Sequence, residues 1–219
     1  MKRPLVRHAG IALVLALLVL PFVYHNQYVF QVSVLAGIYM VLNLAMYLML
    51  GQTGLVMLGQ AGFYGLGAYV AALGAVRLGW SVPVTFLMGG LVSALLAVVV
   101  GLPSLRLRGI YFALLSLAFA EIIRLVTLTW IDLTRGPMGI PGIPRPKLLG
   151  ITFSSENEPY FVLIVLFVTC AYLLINWIQR SSLGVTLRAV KENESAAAAL
   201  GIDVFRTKLI AFVVGCFLT

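Results

Sequence analysis

The run VPVTFLMGGLVSALLAVVVGL, from Val82 to Leu102, contains 21 consecutive residues without a charge. About 20 apolar residues form a helix long enough to cross the ~30 Å hydrocarbon layer of a bilayer. Ala, Leu, Gly and Val dominate the run, and the strict alternation of a barrel strand is absent. The run therefore predicts a transmembrane α-helix.

Similar apolar runs recur along the 219 residues. The predicted spans are Ala9–Tyr24, Val29–Leu50, a third that ends near Val76, Val82–Leu102, Ile110–Ile131 and Tyr160–Ile178, and a seventh run extends from Thr207 to Thr219. The seventh run is shorter than the bilayer core, so we expect the chain to be part of a longer protein. The predicted fold is an all-α integral membrane protein: a polytopic helical bundle, one transmembrane domain over residues 1–219, with about six complete spans and a truncated seventh.

The composition excludes several classes of protein. Hydrophobic residues make up 62% of the chain and charged residues only 10%, and the mean hydropathy is +1.06. Too little polar surface remains to cover a water-soluble globule or to keep the chain disordered. Only two cysteines, Cys170 and Cys216, and two histidines, His8 and His25, are present, which excludes a disulfide framework and makes a metal site unexpected.

The net charge of +8 is distributed unevenly over the predicted loops. With the N-terminus inside, ten Lys and Arg residues lie in inner segments and four in outer segments. This distribution obeys the positive-inside rule, whereas the opposite orientation would reverse it. We therefore expect a cytoplasmic N-terminus, an external loop at 132–159 and a cytoplasmic loop at 180–206. The basic charge is assigned to topology, and no nucleic-acid partner is expected.

A glycine-rich, uncharged stretch occupies residues 51–67, between the second and third predicted spans. One interpretation is close helix packing through small residues. The other is a broken or re-entrant segment whose polar groups line a water-filled path. The second interpretation makes the following residues candidates for a translocation pathway: Gln52, Thr53, Gly54, Gly59, Gln60 and Gly62.

Two charged residues, Glu121 and Arg124, lie well inside the fifth predicted span. Their spacing of three places them on one helix face, where each can neutralise the other. An unpaired charge in a bilayer costs on the order of 3 kcal/mol or more, so an intramembrane ion pair is the favoured interpretation. A carboxylate on a transport pathway or in a proton relay is the alternative.

The predicted cytoplasmic loop contains a second unusual stretch. Residues 185–200 include many good helix formers and four consecutive alanines, and Gly201 follows as a helix stop. The stretch predicts one helix over Val185–Leu200. A flat alanine face favours docking on a partner, although a solvated surface helix would have the same composition.

The end of this helix, Glu194 to Gly201, resembles the EAA loop of ATP-binding-cassette (ABC) importer permeases. Three other stretches, GQTGLVMLGQAGFYGLGAY from Gly51, LSLAFAEIIRL from Leu115 and TRGPMGIPGIP from Thr134, occur in the expected order. With SLGVTLRAVKENESAAAALGIDVFRTKLIAF from Ser182, they resemble the LivH/LivM family, the permease subunits of branched-chain amino acid importers. The one departure is Ser195, which separates Glu194 from the alanines.

The resemblance implies a non-enzymatic transport subunit in the cell (inner) membrane. Its expected partners are a second permease subunit, two cytoplasmic ATPases that bind ATP and Mg²⁺, and an external solute-binding protein; this chain itself would bind no cofactor. The implied coupling residues are Arg188, Glu192, Glu194, Ala196, Ala197 and Gly201. Leucine, isoleucine or valine is the implied substrate, with urea or short amides as the alternative within the family. A secondary transporter is the alternative outside it.

Overall fold

The computed structural model describes residues 27–107, 109–144, 147–148, 151–152 and 158–219. The first predicted span, Ala9–Tyr24, lies outside the described residues. The helices are α1 (Gln27–Met46), α2 (Gln60–Arg77), α3 (Val82–Ser104), α4 (Ile110–Thr129), α5 (Ile131–Thr134), α6 (Glu158–Arg180), α7 (Ser182–Glu192), α8 (Glu194–Ala199) and α9 (Val204–Leu218). A π-helical turn, Tyr47–Gly51, continues α1, and a 3₁₀ turn, Gly136–Met138, follows α5.

Four of the described helices are long and apolar enough to cross a membrane. They are α1 with its π-helical turn, α3, α4 and α6, which confirms the apolar runs predicted to form the second, fourth, fifth and sixth spans. The helix α2 has 18 residues, but its glycines and polar side chains make it less apolar than these four, and α9 has only 15 residues. The described part of the chain is thus a multi-pass helical membrane protein, and the total of six or seven spans stays a prediction.

Three predicted boundaries differ from the structure. The break after α1 is shorter than the predicted 51–67, because α2 already begins at Gln60. The fifth span ends at Thr129 rather than Ile131, and Ile131 begins the separate helix α5. The sixth span begins at Tyr160 as predicted but extends to Arg180 rather than Ile178, and the helix α6 that contains it begins at Glu158. Hydropathy alone marks the apolar centre of a helix and misses its polar ends.

The main core is formed where α2, α3, α4 and α9 meet the end of α1. Phe212 of α9 is completely buried, and its ring contacts those of Phe63 and Phe112 edge-on, each at a centroid distance of 5.8 Å. The side chains of Cys216 and Met49 belong to the same buried cluster. Phe212 thus ties three helices together through two edge-to-face ring contacts, the favoured arrangement for aromatic pairs.

A second contact layer holds α7 against the bundle. Leu187 on α7 is buried with Leu48, Ile178 and Ala211, which belong to the π-helical turn, α6 and α9. This apolar contact fixes the loop between α6 and α9 on the bundle rather than leaving it as a free connector.

The predicted external loop is rich in turns where the structure describes it. Gly136, Gly139 and Gly142 all have positive φ angles, and Lys147–Leu148 pairs with Ile151–Thr152 in a short antiparallel ladder. The Nη2 atom of Arg77 donates hydrogen bonds of 2.9 and 3.3 Å to the carbonyl oxygens of Asp132 and Leu133. The loop is therefore anchored to the end of α2.

Candidate functional site

The chain unwinds at the end of α1, within the predicted glycine-rich break. After the π-helical turn, Gly54 has a φ of +74°, a conformation that L side chains rarely adopt. The N–H groups of Gly54 and Leu55 donate to the carbonyl oxygens of Leu50 and Met49 at 3.1 and 3.2 Å, which satisfies acceptors that the ending helix leaves free. Residues 54–59 then run without regular secondary structure into α2. The prediction of a broken segment is confirmed for these six residues.

Two polar side chains that immediately precede residues 54–59 point into the protein. Gln52 and Thr53 are both buried. The Nε2 atom of Gln52 donates to the hydroxyl of Tyr47 at 2.9 Å, and the hydroxyl of Thr53 donates to the carbonyl oxygen of Met49. The Oε1 atom of Gln52 is buried and has no hydrogen-bond partner among the described residues. These contacts stabilise the break from inside, and a pathway role for the two residues stays a prediction.

Close packing, the other interpretation of the glycines, is also present. The N–H groups of Leu58 and Gly59 donate to the hydroxyl oxygen of Ser116 on α4, at 3.1 and 3.3 Å. A Cβ atom on Gly59 would overlap the carbonyl oxygen of Ser116, and one on Gly62 would lie 2.6 Å from the Cα atom of Ala120. The two glycines therefore hold the break and the start of α2 against α4.

Gln60 joins the same region to α1. Its Nε2 atom donates to the carbonyl oxygen of Leu42 at 2.7 Å, and the hydroxyl oxygen of Thr219 lies 3.4 Å away. Of the six pathway candidates, Gly54 is exposed, Gln60 is partly buried and the other four are buried.

The single helix predicted over Val185–Leu200 is wrong: α7 ends at Glu192 and α8 begins at Glu194. Asn193 between them is extended, with φ −159° and ψ 107°, and its Oδ1 atom accepts hydrogen bonds of 3.0 Å from the N–H groups of Ser195 and Ala196. An asparagine that caps the N-terminus of a following helix competes with continuation of the preceding one. The high helix propensity of the stretch as a whole outweighed the capping signal of Asn193 in the prediction.

Gly201 ends α8 as predicted. Its φ is +82°. Its N–H donates to the carbonyl oxygen of Ala198 at 3.0 Å, and the N–H of Ile202 donates to the carbonyl oxygen of Ala197 at 3.1 Å. This pair of bonds is the Schellman motif, in which glycine provides the left-handed residue.

The two sides of α8 differ. Ala197 is only 2% exposed, whereas Leu200 is 82% exposed and the neighbouring Ala196, Ala198 and Ala199 are also exposed. Ala197 was expected on a docking face, but it packs inside this chain because it lies on the inward side of the short helix. The surface available to a partner consists of residues 196, 198, 199 and 200, which we call the α8 tip.

Charged residues connect the α7–α8 loop to the bundle. The Nζ atom of Lys191 donates to the carbonyl oxygen of Gly51 at 2.8 Å. Lys208 of α9 is almost buried, and its Nζ atom lies 2.5 Å from the Oε1 atom of Glu194. Arg188 donates from Nε to the carbonyl oxygen of Gly184 at 3.0 Å and from Nη2 to that of Gln179 at 3.4 Å.

The predicted coupling residues lie in different environments in the structure. Glu194 lies in an ion pair that holds α8 to α9, while Glu192 lies exposed at the end of α7. Sequence reasoning did not single out Lys191, Lys208 or Ser116. The only signal for Lys208 was a lysine inside an apolar run, which requires a partner.

Glu121 and Arg124 form the predicted ion pair on α4. Arg124 donates from Nε and Nη2 to the two carboxylate oxygens of Glu121, at 2.9 and 2.5 Å. The pair is not enclosed by the described residues, because the side chains of Arg124 and Glu121 are 58% and 52% exposed. Among the residues described, no three His, Cys, Asp or Glu side chains come together as metal ligands.

The family model described as "Branched-chain amino acid transport system / permease component" matches residues 28–219. The chain belongs to this family. The match includes the break, α4 and the α7–α8 loop, and it confirms the resemblance seen in the sequence. No solved structure matches the chain.

Curated relatives agree with the family match. The chain is 32% identical to the high-affinity branched-chain amino acid transport system permease protein LivM of Salmonella typhimurium and 33% identical to that of Escherichia coli, each over 206 residues. Both alignments cover 84% of this chain and 48% of the relative. A probable LivM of Methanocaldococcus jannaschii is 28% identical over 57% of this chain and 37% of its own length. The chain thus spans about half the length of the relatives that it matches.

Proposed function

We propose that this chain is a translocating subunit of an ABC importer for branched-chain amino acids in the cell (inner) membrane, with its N-terminus in the cytoplasm. It pairs with a second permease subunit, receives substrate from an external solute-binding protein and binds two cytoplasmic ATPases. ATP and Mg²⁺ bind to the ATPases, and this chain performs no chemistry of its own. The family membership supports the transport role.

The hydrogen bond between Lys191 and Gly51 is the observation that carries the coupling part of this proposal. It joins the end of α7 to the carbonyl at which α1 unwinds. At Leu58 and Gly59, further along the break, the chain is held on α4 by the hydroxyl of Ser116. A continuous set of contacts therefore leads from the α7–α8 loop, through the break, to α4.

These contacts support alternating access driven from the α8 tip. An ATPase that binds the tip and closes on ATP displaces α7 and α8, and Lys191 and Leu187 carry the displacement to the end of α1. The break responds because residues 54–59 have no regular secondary structure and so lack the continuous ladder of backbone hydrogen bonds that makes a helix rigid. The helix α4, packed on the break through Gly59, then shifts relative to the second subunit.

Co-purification in mild detergent tests the partner assignment. The full-length protein, expressed with its native operon partners, is expected to retain two ATPase copies after affinity purification. A secondary transporter would purify without an ATPase. Competition of labelled leucine uptake by valine and isoleucine, but not by urea or acetamide, separates the amino acid assignment from the amide alternative.

Labelling of single cysteines tests the orientation. Cys170 is exposed and is first replaced by serine. A cysteine at Gly150 should then react with an impermeant maleimide added outside intact cells, and one at Glu192 only after the membrane is opened. Labelling of both from the same side would contradict an odd number of membrane crossings between the two positions.

A further inference from the structure

We propose that Glu121 and Arg124 together bind the zwitterionic head group of the substrate as it crosses the membrane. Arg124 would take the α-carboxylate and Glu121 the α-ammonium group. This inference rests on the proposed function and adds to it a binding site and the substrate charge that the site selects.

The ion pair on α4 is exposed in this chain. Glu121 and Arg124 are the only charged residues between Arg108 and Asp132, and both side chains are more than half exposed. Only 17% of the most apolar part of α4 is buried, the smallest share among the four described helices long and apolar enough to cross a membrane. Ionised side chains within membrane helices almost always face a protein interior or a water-filled cavity rather than lipid. This face of α4 therefore does not lie against lipid, and in a permease that pairs with a second subunit we place it on the path between the two subunits.

The arrangement of the two side chains leaves hydrogen-bonding groups of both available to a ligand. Arg124 uses Nε and one Nη to hold both oxygens of Glu121, so the remaining N–H groups of its planar fork are available to another carboxylate. The carboxylate of Glu121 likewise retains lone pairs for an ammonium group. A neighbouring positive and negative group match the two charges of an α-amino acid, which also lie side by side. Urea and short amides, which carry no ionised groups, would gain little from the pair.

The neighbours of the pair fit an aliphatic side chain. Leu117 and Leu125 lie one helical turn before and after Glu121 on the same face, and both side chains are 48% exposed. Leu114, one turn further, is 53% exposed. A substrate whose head group is held at the ion pair would therefore place a branched aliphatic chain on an apolar surface of α4.

An adjoining face of α4 connects the pair to the break. Ser116 and Ala120 face Gly59 and Gly62, so α4 cannot shift independently of the break. The proposed binding site thus lies on one face of α4, and the adjoining face of the same helix is held by the break, which the α7–α8 loop contacts. Substrate release would accompany the same displacement that opens the path.

The test uses the complete transporter in proteoliposomes with its solute-binding protein at saturation. One variant exchanges the two charges (Glu121→Arg with Arg124→Glu), and a second removes both (Glu121→Gln with Arg124→Gln). Both avoid an unpaired charge, so the complex should assemble. Leucine uptake should fall about 10- to 100-fold in each, as expected for lost charge-assisted hydrogen bonds.

Uptake within about two-fold of the wild type in either variant would overturn the proposal and leave a purely neutralising pair. If neither double variant assembles, Glu121→Asp and Arg124→Lys, which keep both charges but change reach and fork geometry, are measured instead. Reduced leucine uptake by either assembled single variant supports the site, and full uptake by both overturns it. Failure of the wild-type chain to co-purify ATPases would refute the proposed function instead.

Discussion

The amino group of Lys191 donates a 2.8 Å hydrogen bond to the carbonyl oxygen of Gly51, although 140 residues separate them in the chain. Gly51 is the last residue of the π-helical turn, and Lys191 is the penultimate residue of α7. A lysine at this place satisfies a carbonyl at the C-terminus of α1 and is attracted by the negative end of its dipole. The bond thus joins the surface loop to the point where the membrane helix unwinds.

Lys191→Met should weaken coupling while leaving the fold intact. The side chain is exposed, so the change leaves no buried charge. Leucine uptake is expected to fall about 2- to 30-fold, the range in which single contacts modulate coupled sites. The matched control is Lys191→Arg, which keeps a donor and should retain more of the uptake. Equal uptake by both variants and the wild type would show that the bond only caps α1.

Gly59→Ala should disrupt the contact between the break and α4. The added Cβ would overlap backbone of Ser116, which cannot move aside as a flexible side chain could. We expect the free energy of unfolding to fall by about 1–3 kcal/mol and the yield of folded protein to fall with it. Gly65→Ala is the control, because a Cβ atom at Gly65 would meet nothing within 4 Å. Thermal unfolding of the two purified variants measures the difference, and equal melting temperatures would contradict the packing.

Glu194→Gln should destabilise the attachment of α8 to α9. The change leaves the ammonium group of Lys208, only 7% exposed, without its carboxylate. Because Glu194 is 39% exposed, water screens part of the interaction, and we expect a loss of about 1–3 kcal/mol. The double variant Glu194→Gln with Lys208→Met should recover part of the loss because no charge is left unpaired. A double variant less stable than the single one would argue against this role of the pair.

Leu200→Asp should prevent ATPase binding without unfolding the chain. Leu200 is 82% exposed, and substitutions at such sites usually change stability by less than about 0.5 kcal/mol. Retention of the ATPases in mild detergent and uptake should fall together, whereas Leu200→Met should keep both. Gly201→Asp is a less specific test, because its φ of +82° strains any side chain. Normal ATPase retention by Leu200→Asp would exclude the α8 tip as the docking surface.

Much of the fold was predictable because apolar length determines where a chain crosses a membrane. The runs that begin near Val29, Val82, Ile110 and Tyr160 all form helices long and apolar enough to cross a membrane. Gly201 was predictable for a different reason: a glycine after a run of helix formers provides the left-handed residue that ends a helix.

Other features depend on contacts that a single sequence does not reveal. Four consecutive alanines give no sign of which one faces inward, so the burial of Ala197 followed only from the packing of α8. The break at Asn193 was concealed because capping by one side chain overrode the propensity of its neighbours. The exposure of the Glu121–Arg124 pair likewise depended on which face of α4 packs against the break.

ATP-dependent uptake of labelled leucine by proteoliposomes is the most direct measurement of the proposed transport function. The purified complex that contains this chain, supplied with its solute-binding protein outside, should accumulate leucine when ATP and Mg²⁺ are enclosed. It should not do so with a non-hydrolysable ATP analogue, and the Leu200→Asp complex should show no accumulation with ATP. Leucine accumulation driven by an ion gradient in the absence of ATP would contradict the assignment as a permease subunit of an ABC importer.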